Sequence, residues 1–312
     1  MRGVGLHTFG GPEVLQLIDL PEIHAGPGQV RIRNHAATVN PTDVSLRNGS
    51  RAEQMKDDKP PYVPGMEAAG IVDEVGAGAS TGLKIGDAVL AIVVPKGNYG
   101  AYREQIAVDA LSVVKAPAGK SPAEAATLPM NGLTARLSLD LLKLAPGKVI
   151  AVTGAAGAYG GYVVQLAKAD GLTVIADASE KDEALVKSLG ADIVVRRGDD
   201  VAARIRAHFP NGVDGLADGA VLKERAIPAV RDGGAFTSVR GFLGVPQRDI
   251  AFTTTFVRSY AKEWQKLDRL RQQVEAGAIT LRVAATYRPE QAPEAHRRLE
   301  AGGTRGRIVI QF

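Results

Sequence analysis

The spacing of apolar and polar positions changes character near residue 117. Before it, residues 29–33, 70–75 and 88–94 are short strand-like stretches punctuated by glycine and proline, a texture that predicts an antiparallel or mixed β lobe. Beyond it, Ser121-Pro122-Ala123-Glu124 supplies a serine N-cap, proline at the first helical position and glutamate at the third, so a helix is predicted to begin there. From that point to about residue 277, apolar runs at 149–153, 172–176, 193–195, 215–217 and 235–239 alternate with segments of helical spacing. Such alternation predicts a doubly wound parallel sheet. The tail from residue 279 adds strand-like pieces at 281–286 and 307–312 around a helix at 293–301. No fixed-period repeat interrupts the pattern, and Lys56 to Pro61 reads as a solvated loop.

One junction carries chemistry. The run at 149–153 passes through Gly154, Ala155, Ala156, Gly157, Ala158, Tyr159 and Gly160 into helical spacing at 162–169, and a second strand follows Gly171. Glycine permits a tight turn and a close approach of backbone N–H groups to a pyrophosphate, whose charge is favoured at the N-terminus of the helix that follows. The strand-turn-helix-strand context predicts a dinucleotide site, with an ordinary glycine-rich turn as the plainer alternative. Ala155 stands where the usual fingerprint has its first glycine.

Composition narrows the function classes. With 312 residues and 45% hydrophobic content the chain can bury a sizeable core, and its length suggests about two domains. The longest apolar runs, such as 88–94, are far too short to span a bilayer, and no charged leader with an apolar h-region opens the chain, so a cytoplasmic protein is expected. The absence of cysteine excludes disulfides, thiolate chemistry and cysteine-ligated metals. A net charge of +4 is mild, and Arg196-Arg197 and Arg297-Arg298 are only short pairs, so nucleic-acid binding is not indicated.

An ordered series of motifs resembles a known family. Val39-Asn-Pro-Thr-Asp43, Pro64-Gly-Met-Glu-Ala-Ala-Gly70, Gly86-Asp87, Gly97-Asn-Tyr-Gly-Ala-Tyr102, Glu124-Ala-Ala-Thr-Leu-Pro129, Leu133-Thr-Ala135, the glycine turn and Leu189-Gly-Ala-Asp192 are similar, in order and spacing, to landmarks of the zinc-independent quinone oxidoreductase (zeta-crystallin-like) branch of the medium-chain dehydrogenase/reductase superfamily. The turn departs from that pattern: Ala158 and Tyr159 stand where family members usually carry glycine and valine. The resemblance implies an α/β fold, a Rossmann-type doubly wound parallel sheet plus a discontinuous, mostly β GroES-like catalytic domain. It places the catalytic domain at 1–117 and 278–312 and the dinucleotide-binding domain at 118–277. It also implies a homodimer, with sheet extension expected near 235–243.

Zinc-dependent relatives place a cysteine, a histidine and another cysteine around the catalytic ion, and these positions match Asn40, Met66 and Met130 here. An amide and two thioethers would hold zinc poorly, and the five histidines form no pair with ligand spacing, so no metal is expected. Without zinc, the cofactor must supply the reducing equivalent while the protein binds and polarises the acceptor. A quinone, or an α,β-unsaturated carbonyl attacked at its β-carbon, builds negative charge on oxygen as hydride arrives, and a hydrogen-bond donor stabilises that charge. Asn40 and Tyr62 are the candidate donors, the first also a turn residue before Pro41 and the second also a pocket wall. Thr42 matches a proton-relay position of the zinc relatives, a role left vestigial without the metal.

Met66, Met130 and Phe256, together with Tyr62, are candidate acceptor-pocket residues, although such side chains more often build cores. By resemblance, Thr127, Thr134 and Asn40 border the cofactor, and Gly241 and Phe242 approach its nicotinamide end. Signals for cofactor choice conflict. Asp177 favours NADH if its carboxylate faces the ribose, whereas in the family register the acidic position falls on Ala178, and Ser179, Lys181 and Arg197 then form a 2′-phosphate site. The second arrangement, NADPH, is preferred. The expected function is therefore NADPH-dependent, zinc-independent reduction of a small-molecule quinone or other conjugated carbonyl. An enoyl or alkenal reductase is the near alternative, and a nucleotide-binding structural or regulatory protein with little turnover is the alternative of another class.

Overall fold

The computed structural model describes all 312 residues, which form two compact units, Met1–Met130 with Tyr260–Glu275 and Leu281–Phe312, and Asn131–Ser259 with Ala276–Thr280. Residues 118–130 and 260–275 thus pack with the first unit. The chain opens with an antiparallel pair, β1 (Arg2–Gly5) and β2 (Gln16–Asp19). There follow β3 (Gln29–Thr38), α1 (Pro41–Arg47), β4 (Glu67–Val75), β5 (Ala88–Ile92), β6 (Gln105–Asp109), β7 (Val113–Lys115) and α2 (Pro122–Ala125). The predicted cap at α2 is present, with Ser121 and Glu124 satisfying each other's backbone N–H groups, but this helix lasts one turn before the chain restarts as α3 (Pro129–Leu142).

The second unit continues with β8 (Val149–Thr153), α4 (Ala158–Ala169), β9 (Thr173–Ala178), α5 (Glu183–Ser188), β10 (Ile193–Arg196), α6 (Val201–His208), β11 (Val213–Asp218), β12 (Val230–Ser238) and β13 (Ala251–Thr254). Its six-stranded sheet has the order β10-β9-β8-β11-β12-β13, parallel throughout, so the winding reverses between β8 and β11. Ligands of such sheets bind beyond the carboxyl ends of the strands at that switch point. The strands there end in one register row, Thr153, Asp218, Ser238 and Thr254. β8 is apolar up to this row, and polar side chains close it on all four strands.

The segment expected to extend the sheet, 235–243, begins inside β12, which is flanked on both sides by β11 and β13. The edge on that side is β13, a short strand whose four residues are all at least partly exposed. Its sequence, Ala251-Phe-Thr-Thr254, has no apolar run to mark it.

In the tail, α7 (Trp264–Glu275), β14 (Val283–Tyr287), α8 (Ala292–Glu300) and β15 (Arg307–Gln311) return to the first unit, whose larger sheet runs β14-β15-β3-β4-β5-β7 with β6 paired to β3. A buried polar network ties α8 to α1. Asp43, in the first turn of α1, accepts from the N–H groups of Asn40 at 2.8 Å and Gly65 at 2.9 Å. The Tyr102 hydroxyl lies 3.4 Å from Asp43 and 3.2 Å from Nε2 of His296 on α8, whose Nδ1 is buried without a partner.

Burial raises the Asp43 carboxyl to about 6 and lowers the His296 imidazole to about 3, the latter assisted by nearby Arg47. The two act oppositely on stability. The neutral histidine loses stability as pH falls below its ordinary value toward its folded one, whereas Asp43 is favourable when protonated and loses that advantage as pH rises to about 6. On going from pH 7 to pH 5, His296→Gln should therefore retain about 2 kcal/mol more unfolding free energy than the parent, and Asp43→Asn about 1 kcal/mol less. Urea unfolding at the two pH values measures both, and a parent-like pH dependence in His296→Gln would contradict the assignment.

Candidate active site

In the first unit, β3, β4 and β15 bring a buried charge cluster together. Glu67 is fully buried at the start of β4, in contact with the Arg307 guanidinium at the start of β15 and with the Thr38 hydroxyl at the end of β3. Its other oxygen accepts from the Met130 N–H at 2.8 Å. Asn40, also fully buried, is held within this cluster: its carbonyl oxygen accepts from Arg307 at 2.7 Å, and its amide nitrogen lies 3.2 Å from Glu67 Oε1 and 3.4 Å from the Thr38 carbonyl. The amide is thus oriented by both members of an ion pair. Neither charge was identified from sequence as a partner of Asn40. An acid within the apolar stretch Met66-Glu-Ala-Ala69 is nonetheless a signal, because a buried carboxylate requires a counter-charge.

Tyr62 is half-buried, stacks on Phe9 at 5.1 Å and donates to the Asp58 carbonyl at 3.3 Å. Met66 is buried, and its sulfur accepts from the Thr42 hydroxyl at 2.9 Å, so Thr42 is engaged at a thioether. Thr127 donates to the Glu124 carbonyl at 2.7 Å.

In the second unit the glycine turn leaves β8 at the switch point. Gly154 has φ +68°, and a Cβ on Gly160 would approach the Gly154 carbonyl oxygen to 2.3 Å, so both positions require glycine. Gly157 differs. Its φ of −69° suits any residue, and a Cβ there would meet only the Gly154 oxygen, at 3.1 Å, with open space beyond. Gly157 is the N-cap of α4 and offers no side chain to it, which leaves the first-turn N–H groups of Ala158, Tyr159 and Gly160 without helical acceptors. Open donors behind a glycine are the geometry that an anionic pyrophosphate fits.

Asp177, near the end of β9, accepts from the N–H groups of Gly154 at 2.7 Å and Ala155 at 3.2 Å. Burial raises its carboxyl above the usual range, opposed by these two N–H groups. One oxygen, Oδ1, of the carboxylate that sequence reasoning offered to a ribose is directed at the turn itself. Beyond it, Ser179 bonds Asp182, while Lys181 and Arg197 are exposed; the Arg197 N–H joins the Ala178 carbonyl at 2.9 Å, which sets this arginine beside the end of β9.

Across the switch point, fully buried Asp218 organises the loop after β11. It accepts from Thr153 at 2.6 Å and from the N–H groups of Leu222 at 3.0 Å and Lys223 at 2.8 Å. The loop includes Val221 and Lys223, each at φ +57°, a region that a β-branched residue adopts only where its surroundings enforce it. Thr134, on α3, is buried and accepts through its carbonyl from Ser138 at 2.9 Å. Gly241 is exposed at φ +78°, Phe242 packs edge-on against Phe236 with ring centroids 5.9 Å apart, and Phe256 is 61% exposed.

The residues at the positions of the zinc ligands do not fit that ion. Asn40 is bound by Arg307 and Glu67, Met66 offers a thioether, and no group of three His, Cys, Asp or Glu side chains converges anywhere in the structure.

Comparison with known proteins agrees with this architecture. Residues 26–118 match the alcohol dehydrogenase GroES-like domain, and residues 189–310 match the zinc-binding dehydrogenase family. The chain is 30% identical to the 2-methylene-furan-3-one reductase of Solanum lycopersicum over 99% of its own length and 79% of that protein. It is 30% identical to the chloroplastic NADPH-dependent alkenal/one oxidoreductase of Arabidopsis thaliana over 97% of its length and 77% of that protein. Among solved structures, the quinone oxidoreductase from Coxiella burnetii superposes with a TM-score of 0.86 at 27% identity, covering 100% of this chain and 99% of that one. The chain is an oxidoreductase of the quinone oxidoreductase branch of the medium-chain dehydrogenase/reductase superfamily.

Proposed function

We propose that this protein reduces quinones or other conjugated carbonyls with NADPH. The observation that carries the reading is the uncapped N-terminus of α4 behind Gly157, at the switch point of a parallel sheet, with exposed Lys181 and Arg197 in the segments that follow β9 and β10. Bound NADPH supplies the hydride. The N–H groups of residues 158–160 receive the pyrophosphate, Asp177 holds the turn beneath it, and Lys181 and Arg197, with Ser179, receive the 2′-phosphate. Phe242 and Gly241 border the nicotinamide end. Asn40 and, once its hydroxyl turns away from the Asp58 carbonyl, Tyr62 are the groups assigned to polarise the acceptor oxygen, and a solvent proton completes the reduction. Asn40 has both faces of its amide engaged, so its contribution depends on the Glu67–Arg307 pair that orients it.

Alkenals are favoured as a second acceptor class because a relative at 30% identity is named for alkenals and alkenones. A panel of quinones, 2-alkenals and enones, each assayed with NADPH and NADH, tests the reaction. Oxidation of NADPH by at least one class, unchanged after chelation, is expected from the poor zinc fit. Tight NADPH binding without turnover of any acceptor would favour a nucleotide-binding protein, and activity that chelation abolishes and zinc restores would overturn metal independence.

Gly157→Val should leave the melting temperature near that of the parent, because the backbone conformation suits valine, yet raise the Kd of both NADPH and NADH by about 10-fold or more by filling the space before the helix N-terminus. Parent-like binding by the folded variant would remove the pyrophosphate from this turn. Arg197→Ala with Lys181→Ala should weaken NADPH by about 10-fold relative to NADH, the scale of one or two charge-assisted contacts. Titration of both nucleotides decides it, and an unchanged ratio would assign cofactor choice elsewhere.

A further inference from the structure

The turn carries a side chain that the dinucleotide reading alone does not use. Tyr159 is the second residue of α4, two positions after Gly157, yet its side chain folds back into the second unit. Its hydroxyl lies 2.8 Å from Oγ of Ser138, which is fully buried on α3. Ser138 Oγ lies in turn 2.9 Å from Oγ1 of Thr255, just beyond β13, and Thr255 lies 3.1 Å from Thr237 on β12. The ring rests on Gly219, immediately after β11: a Cβ there would come within 2.8 Å of the Tyr159 ring. One side chain therefore connects the start of α4 to α3, to the end of β11 and, through Ser138, to the segment after β13.

A count of protons fixes the direction of this chain. Ser138 has one hydroxyl hydrogen, and it is directed at the Thr134 carbonyl, 2.9 Å away. Ser138 must then accept from both Tyr159 and Thr255, and Thr255 must accept from Thr237. The phenol is a committed donor to the protein. Its proton is not available to a substrate, which separates Tyr159 from an acid role and leaves a mechanical one.

The need for such a link follows from the rest of the turn. Gly157 contributes no capping side chain, and Ala155 and Ala158 stand where the family pattern has glycines. Asp177 grips the strand side of the turn, at Gly154 and Ala155. On the helix side the corresponding side-chain link is Tyr159. We propose that Tyr159 is a positioning residue for the dinucleotide: held by Ser138 and Gly219, it fixes the first turn of α4 and thereby the pyrophosphate and the nicotinamide half of the cofactor. The inference rests on the dinucleotide reading given above.

The test compares Tyr159→Phe, Ser138→Ala and the double variant in full-length protein, using nicotinamide fluorescence for NADPH and calorimetry for adenosine 2′-monophosphate, a fragment with neither phosphate of the pyrophosphate and no nicotinamide. Each single variant should weaken NADPH by about 3- to 10-fold, the scale of one lost neutral hydrogen bond. The double should be no weaker than the weaker single, because both substitutions break the same link. Affinity for the fragment should not change, and KM for NADPH should rise with kcat at saturation falling less. Parent-like NADPH binding by Tyr159→Phe would overturn the proposal, as would additive losses or an equal loss for the fragment, which would mark a general loosening of the unit. If the parent binds neither NADPH nor NADH, the dinucleotide reading itself fails, and this inference with it.

Discussion

Buried carboxylates at the strand ends are the constraint on which the second unit depends. A parallel strand that turns sharply into a loop or helix leaves backbone N–H groups with no ladder partner, and burying them unpaired costs about 1–3 kcal/mol each. Asp177 receives two such groups from the glycine turn, and Asp218 receives two from the loop after β11. Each aspartate thereby converts an irregular connection into a defined surface at the carboxyl edge of the sheet. The left-handed conformation of Val221 is tolerated because Asp218 holds the residues that follow it.

The first unit solves a related problem with an ion pair. Glu67 and Arg307 are nearly fully buried, and such a pair gains little over an apolar substitute unless hydrogen bonds saturate both members. Thr38, Asn40 and the Met130 N–H provide most of that saturation, while Nε of Arg307 remains without a partner. The arrangement orients Asn40 rather than leaving it free, so the polarising role proposed for that amide is inseparable from the charges behind it.

Much of the fold was legible because it is local. The apolar runs of β8, β9, β10 and β11, the serine cap of α2 and the glycines at 154 and 160 each announce themselves within a few residues. What was not legible lies between distant positions. Arg307 and Glu67 are 240 residues apart, and Tyr159 finds Ser138 at a separation of 21, so no window of sequence contains either pair. Asp177 was visible as a residue but not as a contact, since one carboxylate at a strand end can serve a ribose or a turn and only the folded backbone decides between them. The edge strand β13 escaped for a further reason, because a short, partly exposed segment carries little burial to imprint a pattern.

Lys181 and Arg197 differ from the aspartates in one respect that bears on how the protein responds to its surroundings. They stand in water. Their field over the strand ends passes through a medium whose screening length is about 8 Å at physiological ionic strength and about 3 Å at 1 M. Asp177 acts through direct contact in the interior, where dissolved ions do not reach. The shape of the turn is therefore insensitive to salt, whereas attraction of a phosphate by these two cations weakens as salt rises, so that under the proposed 2′-phosphate assignment the preference between the two nicotinamide dinucleotides would become a function of the surrounding electrolyte.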